Sequence, residues 1–222
     1  MLNWSQIDTV LLDMDGTLLD LHFDSYFWLD FLPLRYAQIH RMEEDEARAW
    51  LHERLQKEQG TLNWYCLDYW SAELDVDITA MKREVSDKIA FRPFVQEFLQ
   101  ALQSQAIRTV IVTNAHWGSL NLKKELTAIH QLVDNVVCSH TYQMPKEDIR
   151  FWDQLQADEP FDKARTLLVD DSLSVLKSAQ AYGVGHLLSI VQPDSQQPPR
   201  QIDGFNAIHH FDEIMPETKN LT

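Results

Sequence analysis

The sequence is poor in cysteine and in basic residues, and both shortages exclude whole classes of protein. Its 222 residues include two cysteines, and 19 Lys+Arg face 34 Asp+Glu, which gives a formal net charge of −15. Two cysteines are too few for a disulfide framework, so we expect Cys66 and Cys138 to pack as buried thiols. The acidic excess excludes nucleic-acid backbones and anionic membranes as partners, because both are bound through basic surfaces.

Long apolar runs and targeting signals are also missing. No run approaches the roughly 18 apolar residues of a membrane span, and the N-terminus lacks the basic and apolar segments of a signal peptide. We therefore expect a cytoplasmic protein. Hydrophobic residues make up 45% of the chain, which is ordinary for a folded domain. The sequence gives no indication of the oligomeric state.

Five short apolar runs, each ending abruptly in polar residues, indicate a parallel sheet. The runs are Thr9–Leu12, Arg108–Val112, Asn135–Cys138, Arg165–Val169 and His186–Val191. Short, continuous runs of this kind are typical of strands that are buried on both faces. The later runs alternate with segments whose apolar residues have helical spacing, as in Phe94, Phe98 and Leu102. The pattern predicts an α/β fold with a doubly wound, mostly parallel sheet, whose ligands bind beyond the C-terminal ends of the strands.

Residues 22–91 interrupt this alternation. They contain no comparable strand run, and they are rich in aromatic and helix-forming residues. We predict helices near residues 24–38, 43–58, 61–74 and 78–88. Residues 21–91 would then form a helical cap domain, and residues 1–20 plus 92–222 would form the catalytic core. The proline-containing tail after Gln192 is expected to be irregular.

Two acidic pairs follow predicted strands and together indicate a divalent cation site. Asp13 and Asp15 follow the first run, and Asp170 and Asp171 follow the fourth. Two carboxylates about 4 Å apart repel each other by roughly 4 kcal/mol at an effective dielectric constant of 20, so such a cluster needs a cation. Carboxylate oxygens are ligands that Mg²⁺ prefers. An isolated Asp-x-Asp-Gly segment would more often be a solvated turn, and Asp171 can also be explained as a helix cap.

Two further positions fit phosphate binding, although each is weak evidence alone. Thr113 and Asn114 end the second run, where a hydroxyl group and backbone N–H groups can hold a phosphate oxygen. Lys146 follows Pro145 at a predicted strand-to-helix junction. A lysine at that place can neutralise both phosphate and carboxylate. The commoner explanations are a turn for Thr113-Asn114 and an exposed, inert side chain for Lys146.

Taken in order, these residues resemble the four motifs of the haloacid dehalogenase-like (HAD) phosphohydrolases. The matching positions are Asp13-x-Asp15-Gly16-Thr17, then Thr113, then Lys146, then Asp170-Asp171. The helical insertion resembles the C1-type cap of that family. The resemblance implies a phosphatase that depends on Mg²⁺, with Mn²⁺ or Co²⁺ as substitutes.

The resemblance also implies roles for individual residues. Asp13 would attack phosphorus and form an aspartyl-phosphate, Asp15 would act as general acid and base, and Lys146 would assist catalysis. The implied metal ligands are Asp13, Asp15 through its backbone carbonyl, Asp170 and Asp171. The implied phosphate-binding residues are Gly16, Thr17, Thr113, Asn114 and Lys146.

Several cap and loop stretches resemble the bacterial 5′-nucleotidases that act on GMP and IMP. They are Tyr26-Phe27-Trp28, residues 61–71, residues 113–116 and residues 145–148. The resemblance implies a small-molecule purine nucleotide as substrate. The candidate substrate-binding residues are Asp24, Tyr26, Asn63, Trp64 and His116. Stacking of a base on an aromatic ring is worth about 1–3 kcal/mol, but we expect most of the cap aromatics to pack inside the cap.

Two other functions stay open from the sequence alone. One is a HAD phosphatase that acts on a phosphosugar or another small phosphomonoester, with an aromatic cap that is only structural. The other is a non-catalytic binding module on the same fold. The presence of all the motif positions favours an enzyme.

Overall fold

A six-stranded parallel sheet forms the centre of this computed structural model, which describes residues 2–216. The strands are β1 Thr9–Leu12, β2 Arg108–Thr113, β3 Asn135–Cys138, β4 Thr166–Val169, β5 His186–Ile190 and β6 Asn206–Ile208. Their order is β3-β2-β1-β4-β5-β6, and every neighbouring pair is parallel. The predicted α/β fold is confirmed. All four residues of β1 are buried, because this strand lies between β2 and β4.

Residues 22–88 form a series of short helices between β1 and β2. They are α1 His22–Tyr26, α2 Leu32–His40, α3 Glu44–Glu58, α4 Leu62–Tyr65, α5 Leu67–Leu74 and α6 Ile78–Glu84. A π-helical turn, Phe27–Phe31, joins α1 to α2, and the single helix predicted for residues 61–74 is divided at Cys66. Cys66 has an extended backbone and its side chain accepts the N–H of Tyr69, so it caps α5. These helices share a hydrophobic cluster built around Phe23, Phe27 and Trp70.

Four helices cover the two faces of the sheet. They are α7 Val95–Ser104, α8 Trp117–Thr127, α9 Ile149–Asp158 and α10 Leu173–Tyr182. Side chains alternate along a strand, so Val10 and Leu12 pack with α7 and α8, whereas Leu11 packs with α9 and α10. The spacing predicts that Phe94 lies on the buried face of α7, and this prediction is wrong. Phe94 precedes the helix with a positive φ of 64° and is exposed.

The segment after Gln192 is more regular than the sequence indicates. Asn206–Ile208 adds β6 to the edge of the sheet beside β5, and a 3₁₀ turn, Phe211–Ile214, packs its two apolar ends into the core. The prediction of an irregular tail is therefore wrong for this part. A strand of three residues with one fully buried side chain is too short to show a period. Residue 1 and residues 217–222, which the predicted core includes, lie outside the described residues.

None of the helices within residues 2–216 has the length and apolar character needed to cross a membrane.

Candidate active site

The polar residues that end three neighbouring strands meet at one edge of the sheet. Asp13 follows β1, Thr113 ends β2 and Asp170 follows β4, and all three are buried. They face a cavity of about 370 Å³, which is within the size range of small-molecule sites. Ten residues predicted from the sequence line it: Asp13, Asp15, Asp24, Trp64, Thr113, Asn114, His116, Lys146, Asp170 and Asp171.

Lys146 ties two of the carboxylates together. Its Nζ atom lies 2.6 Å from Oδ1 of Asp13 and 2.7 Å from Oδ2 of Asp170, and it donates to the carbonyl of Val112 at 3.0 Å. Burial opposes the charged form of this lysine, but the two carboxylates outweigh burial and raise its pKa. Lys146 is therefore an ammonium ion held at the floor of the cavity.

Asp13, Asp170 and Asp171 form a group of oxygen donors that suits a divalent cation. One carboxylate oxygen from each lies within 4.8 Å of the others. Burial raises the pKa of Asp171 well above its usual range, and the charges of the other two carboxylates raise it further. Its ion-pair partner, Arg200, is 3.9 Å away. A crowded set of oxygen donors with too little positive charge fits the ligand preference of Mg²⁺.

Gly16 and Thr17 position Asp171 and do not line the cavity. Gly16 has φ = +84°, and a Cβ atom added there would lie 2.9 Å from both Cγ and Oδ2 of Asp171. Only glycine adopts this turn without strain and leaves room for the carboxylate. The hydroxyl of Thr17 accepts the backbone N–H of Asp171 at 3.2 Å. The N–H of Gly16 donates to the carbonyl of Leu19. Phosphate binding by Gly16 and Thr17 stays a prediction.

Thr113 and Asn114 differ in what they offer a ligand. Oγ1 of Thr113 accepts the N–H of Ala115 at 3.0 Å, which leaves its hydroxyl hydrogen free to donate to a ligand oxygen. The side-chain amide of Asn114 accepts the N–H of Lys146 and donates to Glu147, both at 3.0 Å. That amide therefore fixes the loop that carries Lys146. Because the side-chain amide is engaged in this way, the group of Asn114 that we expect to contact a phosphate is its backbone N–H.

Asp15 belongs to a chain of charges that the sequence analysis missed. Nζ of Lys123 lies 2.6 Å from Asp15 and 2.7 Å from Asp24, and Lys82 pairs with the other oxygen of Asp24. Both lysines are fully buried. Burial raises the pKa of Asp15 to about 6, although Lys123 acts in the opposite direction. Burial would also raise the pKa of Asp24, but the two lysines hold it below its usual range.

This arrangement gives Asp24 a structural role. Its carboxylate is an ionised link between Lys82 of the cap helices and Lys123 of α8, and it also lines the cavity, so the predicted contact with substrate stays a prediction. Lys123 lies 108 positions from Asp15, and no pattern in α8 distinguishes it from its neighbour Lys124.

The charges around the cavity leave an excess of negative charge. Three buried lysines face five aspartates: Lys82, Lys123 and Lys146 against Asp13, Asp15, Asp24, Asp170 and Asp171. The net charge of this set, with every carboxyl ionised, is two negative units, and Arg200, the ion-pair partner of Asp171, reduces it to one. The electrostatics therefore support the same conclusion as the oxygen donors.

The remaining predicted substrate residues divide into two groups. Trp64 and His116 line the cavity, but Tyr26 and Asn63 do not. The ring of Tyr26 lies 4.4 Å from Nζ of Lys88, and the side chain of Asn63 bonds to Glu58. Most cap aromatics pack within the cap, as expected.

Tyr65 also lines the cavity, and it connects the cap helices to the core. Its hydroxyl donates to Oε1 of Glu147 at 2.7 Å, across 82 positions of sequence. Glu147 is the neighbour of Lys146 and also accepts from Asn114. The same small loop thus anchors the cap and holds the buried lysine.

The two cysteines differ from each other. Cys138 is fully buried, as predicted, and its thiol donates to the carbonyl of Ala115. Cys66 is only partly buried, so the prediction of a buried thiol is wrong there. A break between α4 and α5 brings it to the surface of the cap beside two histidines.

Comparison with known proteins gives concordant results. Residues 10–188 match the family model of the haloacid dehalogenase-like hydrolases. The GMP/IMP nucleotidases YrfG of Escherichia coli (strain K12) and of Shigella flexneri are each 37% identical over 213 residues, which is 96% of this chain and 96% of each relative.

Two solved structures establish the likeness of fold. A HAD phosphatase from Thermococcus onnurineus has a TM-score of 0.75 at 19% identity, over 90% of this chain and 92% of that one. The L-2-haloacid dehalogenase from Xanthobacter autotrophicus has a TM-score of 0.59 at 15% identity, over 86% of this chain and 80% of that one.

Proposed function

The chain belongs to the haloacid dehalogenase-like hydrolases, and we propose that it hydrolyses the purine nucleoside 5′-monophosphates GMP and IMP to nucleoside and phosphate. It is a phosphomonoester hydrolase. The observation that carries the choice of substrate is the 37% identity to GMP/IMP nucleotidases over almost the full length of both chains. The cavity with its two acidic pairs supports the chemistry.

We assign the nucleophile to Asp13. An oxygen of its carboxylate forms a bond to phosphorus while the bond from phosphorus to the 5′-oxygen of the nucleoside breaks. Covalent catalysis of this kind divides one difficult displacement into two easier ones. Burial raises the pKa of Asp13 to about 6, and Lys146 opposes that effect, so the lysine keeps the nucleophile ionised near neutral pH.

We assign the proton transfers to Asp15. It donates a proton to the departing 5′-oxygen, and it then accepts a proton from the water that hydrolyses the aspartyl-phosphate. A catalytic group works best when its pKa is close to the operating pH, and burial places the pKa of Asp15 at about 6. The hydroxyl of Thr113 and the ammonium group of Lys146 stabilise the phosphoryl oxygens as negative charge develops.

Asp13, Asp171 and the backbone carbonyl of Asp15 would hold the metal, with Asp170 as a direct or water-mediated ligand. We infer Mg²⁺, for which Mn²⁺ or Co²⁺ can substitute because they accept the same oxygen ligands. When bound, the ion supplies positive charge that neutralises the phosphoryl group. The crowding of three carboxylates, of which Asp13 and Asp170 are buried, supports this assignment.

We propose that residues 21–91 act as the cap that selects the nucleoside. Trp64 lies in the cavity wall and offers a ring for stacking on the purine base. His116 lies in the same wall and offers a polar group. The bond between Tyr65 and Glu147 closes the cap against the loop that carries Lys146, and this closure shields the site from bulk solvent, so that the water beside Asp15 is the one that attacks the aspartyl-phosphate.

A comparison of substrates tests the proposed specificity. Initial rates are measured for GMP, IMP, AMP, UMP and a hexose phosphate at saturating Mg²⁺. We expect kcat/KM for GMP and IMP to exceed the other values at least about tenfold, which corresponds to about 1.4 kcal/mol of selective binding. A hexose phosphate ahead of GMP, or equal values throughout, would overturn the purine assignment.

The covalent mechanism has its own test. Asp13→Asn should abolish turnover of GMP, because an amide is not a nucleophile here, and circular dichroism should show an unchanged fold. EDTA should silence the wild type, and Mg²⁺ should restore it. Turnover that persists in the variant, or after chelation, contradicts the mechanism.

A further inference from the structure

Cys66, His116 and His140 form a second group of metal-type donors, separate from the carboxylates. One donor atom from each residue lies within 4.8 Å of the others. Cys66 connects α4 to α5 in the cap helices, His116 precedes α8, and His140 follows β3. The group therefore joins the cap to the core at the rim of the cavity.

The hydrogen bonds of His140 leave one ring nitrogen free. The imidazole bonds to the backbone of Asn114, while its Nε2 atom is buried and has no partner among the described residues. The bond to the backbone must then be made by Nδ1, which donates its hydrogen to a carbonyl. This places a lone pair on Nε2. Histidines that bind metals commonly have this arrangement, with the second nitrogen anchored to a carbonyl.

His140 and His116 both favour the neutral imidazole, which is the form of histidine that binds metals. Burial lowers the pKa of His140 to about 4, and burial also lowers the pKa of His116. The rings are 4.9 Å apart in a T-shaped arrangement. Nδ1 of His116 accepts a long hydrogen bond of 3.3 Å from the N–H of Gly118. A bond of that length is weak, so a metal–nitrogen bond replaces it at low cost.

Cys66 is placed to act as a ligand. Its Sγ atom accepts only the N–H of Tyr69, at 3.4 Å, among the described residues. It is the N-cap residue of α5, where the helix dipole favours negative charge on the sulfur. Its side chain is partly exposed, so an ion can reach it from solvent.

We propose that Cys66, His116 and His140 bind a thiophilic divalent cation such as Zn²⁺. A tetrahedral zinc with one sulfur and two nitrogen ligands places those atoms roughly 3.5 Å apart. Small rotations of the three side chains reach this spacing from separations within 4.8 Å. Asp68, whose Oδ2 lies 3.6 Å from Nε2 on the other side of the His116 ring, would orient that imidazole, and a water molecule would complete the tetrahedron. The carboxylate cluster offers oxygen alone, so the two sites select different ions.

Binding at this place clamps the cap to the core. The cation would hold the junction of α4 and α5 against the loops that follow β2 and β3. Trp64 and Tyr65 precede Cys66 directly, and both line the cavity. An ion that fixes Cys66 therefore fixes the wall through which a substrate enters.

Cobalt spectroscopy tests the site without relying on the hydrolysis of any substrate. Co²⁺ is added to the full chain in saturating Mg²⁺, which occupies the carboxylates. We expect one equivalent to produce a thiolate-to-cobalt charge-transfer band in the near ultraviolet, together with the visible bands of tetrahedral cobalt. Zn²⁺ should displace the cobalt, and at about 100 times its Kd it should raise the Tm by about 5 °C.

Variants identify the ligands. Cys66→Ser should remove the charge-transfer band, and His140→Ala should weaken cobalt binding by at least about tenfold. Cys138→Ser is the matched control, because it changes a buried thiol whose hydrogen bond to Ala115 a serine can keep. It should leave the titration unchanged. Absence of the band in the wild type, or its survival in a folded Cys66→Ser protein, overturns the proposal.

Discussion

Asp171 is the carboxylate of the site with the least compensation. Lys146 pairs with both Asp13 and Asp170 at 2.6 and 2.7 Å, whereas the partner of Asp171 is Arg200 at 3.9 Å. Gly16 has no side chain that would collide with this carboxylate, and the hydroxyl of Thr17 accepts the backbone N–H of Asp171. Local structure thus supports a residue whose charge is unfavourable without a cation. We infer that lower stability at this position is the cost of the proposed metal site.

Removal of that charge should separate stability from activity. We expect Asp171→Asn to raise the Tm of the metal-free protein by about 2–4 °C, which corresponds to about 1 kcal/mol for a chain of this length. The same variant should lose the increase in Tm that Mg²⁺ gives the wild type, and it should lose most of its turnover. Calorimetry with and without Mg²⁺ measures both effects. Asp153→Asn, which removes an exposed carboxylate from α9, is the control. A fall in the Tm of metal-free Asp171→Asn would contradict the prediction.

Lys123 is the residue through which Asp15 and Asp24 share one positive charge. Lys123→Met should lower the free energy of unfolding by about 3 kcal/mol, because it leaves the partly buried carboxylate of Asp15 unpaired and Asp24 with Lys82 alone. Asp24→Asn combined with Lys123→Met should cost less than the sum of the single changes, with a coupling of about 1–3 kcal/mol. Urea unfolding of the four proteins gives the coupling.

The neighbouring lysine gives the control for this cycle. Lys124→Met removes the same charge from the less buried side of α8 and should change stability by no more than about 0.5 kcal/mol. Additive effects of Asp24→Asn and Lys123→Met would show that the chain of charges is not a functional unit.

At the scale of elements, two similar tyrosine–glutamate bonds make different connections. Tyr65 donates to Glu147 at 2.7 Å, from α4 to the core loop, and Tyr69 donates to Glu58 at 2.9 Å, within the cap helices. The short break at Cys66 separates the two tyrosines, so that they face different partners. Comparing the loss of one bond with the loss of the other therefore isolates the contribution of the contact between cap and core.

Tyr65→Phe should weaken catalysis, and Tyr69→Phe should not. Loss of the bond to Glu147 removes about 1–1.5 kcal/mol from the closed state, so we expect kcat/KM to fall about tenfold. Tyr69→Phe should stay within about twofold of the wild type. Steady-state kinetics with GMP compares the two variants. Equal losses in both would mean that the tyrosines act only through the stability of the cap.

Elements with continuous apolar patterns bounded by polar residues were predictable, and elements of three residues or with an internal break were not. The runs that became β1 to β5 are continuous and bounded by polar residues, so the sheet and the meeting of Asp13 with Asp170 followed from the sequence. β6 has three residues, and the break at Cys66 depends on capping by a single side chain. Lys82 and Lys123 were not predictable, because only tertiary contacts bring them to Asp24.

At the scale of the whole molecule, a net charge of −15 opposes an anionic substrate. The three lysines of the site attract the phosphate only at short range, whereas the negative surface repels it over a distance of about one Debye length. Added salt shortens that length and so weakens the repulsion. That length falls from about 30 Å in 10 mM salt to about 10 Å in 100 mM. We expect kcat/KM for GMP to rise about two- to threefold over this range at saturating Mg²⁺.

Measurements in NaCl and in KCl separate screening from specific ion effects, since both salts should give the same curve. A fall in kcat/KM with salt would mean that the site lysines, and not the surface, govern the approach of the substrate.

The central position of β1 also has a consequence for synthesis on the ribosome. This strand is made first, but its partners β2 and β4 begin at Arg108 and Thr166. At 5–20 residues per second, the segment that carries Asp13 waits roughly 5–20 s for its first neighbour. The cap cluster, drawn almost wholly from residues 23–85, has emerged by then. The ribosome therefore completes the sequence of the cap helices before either strand that pairs with β1, and so fixes Asp13, has been made.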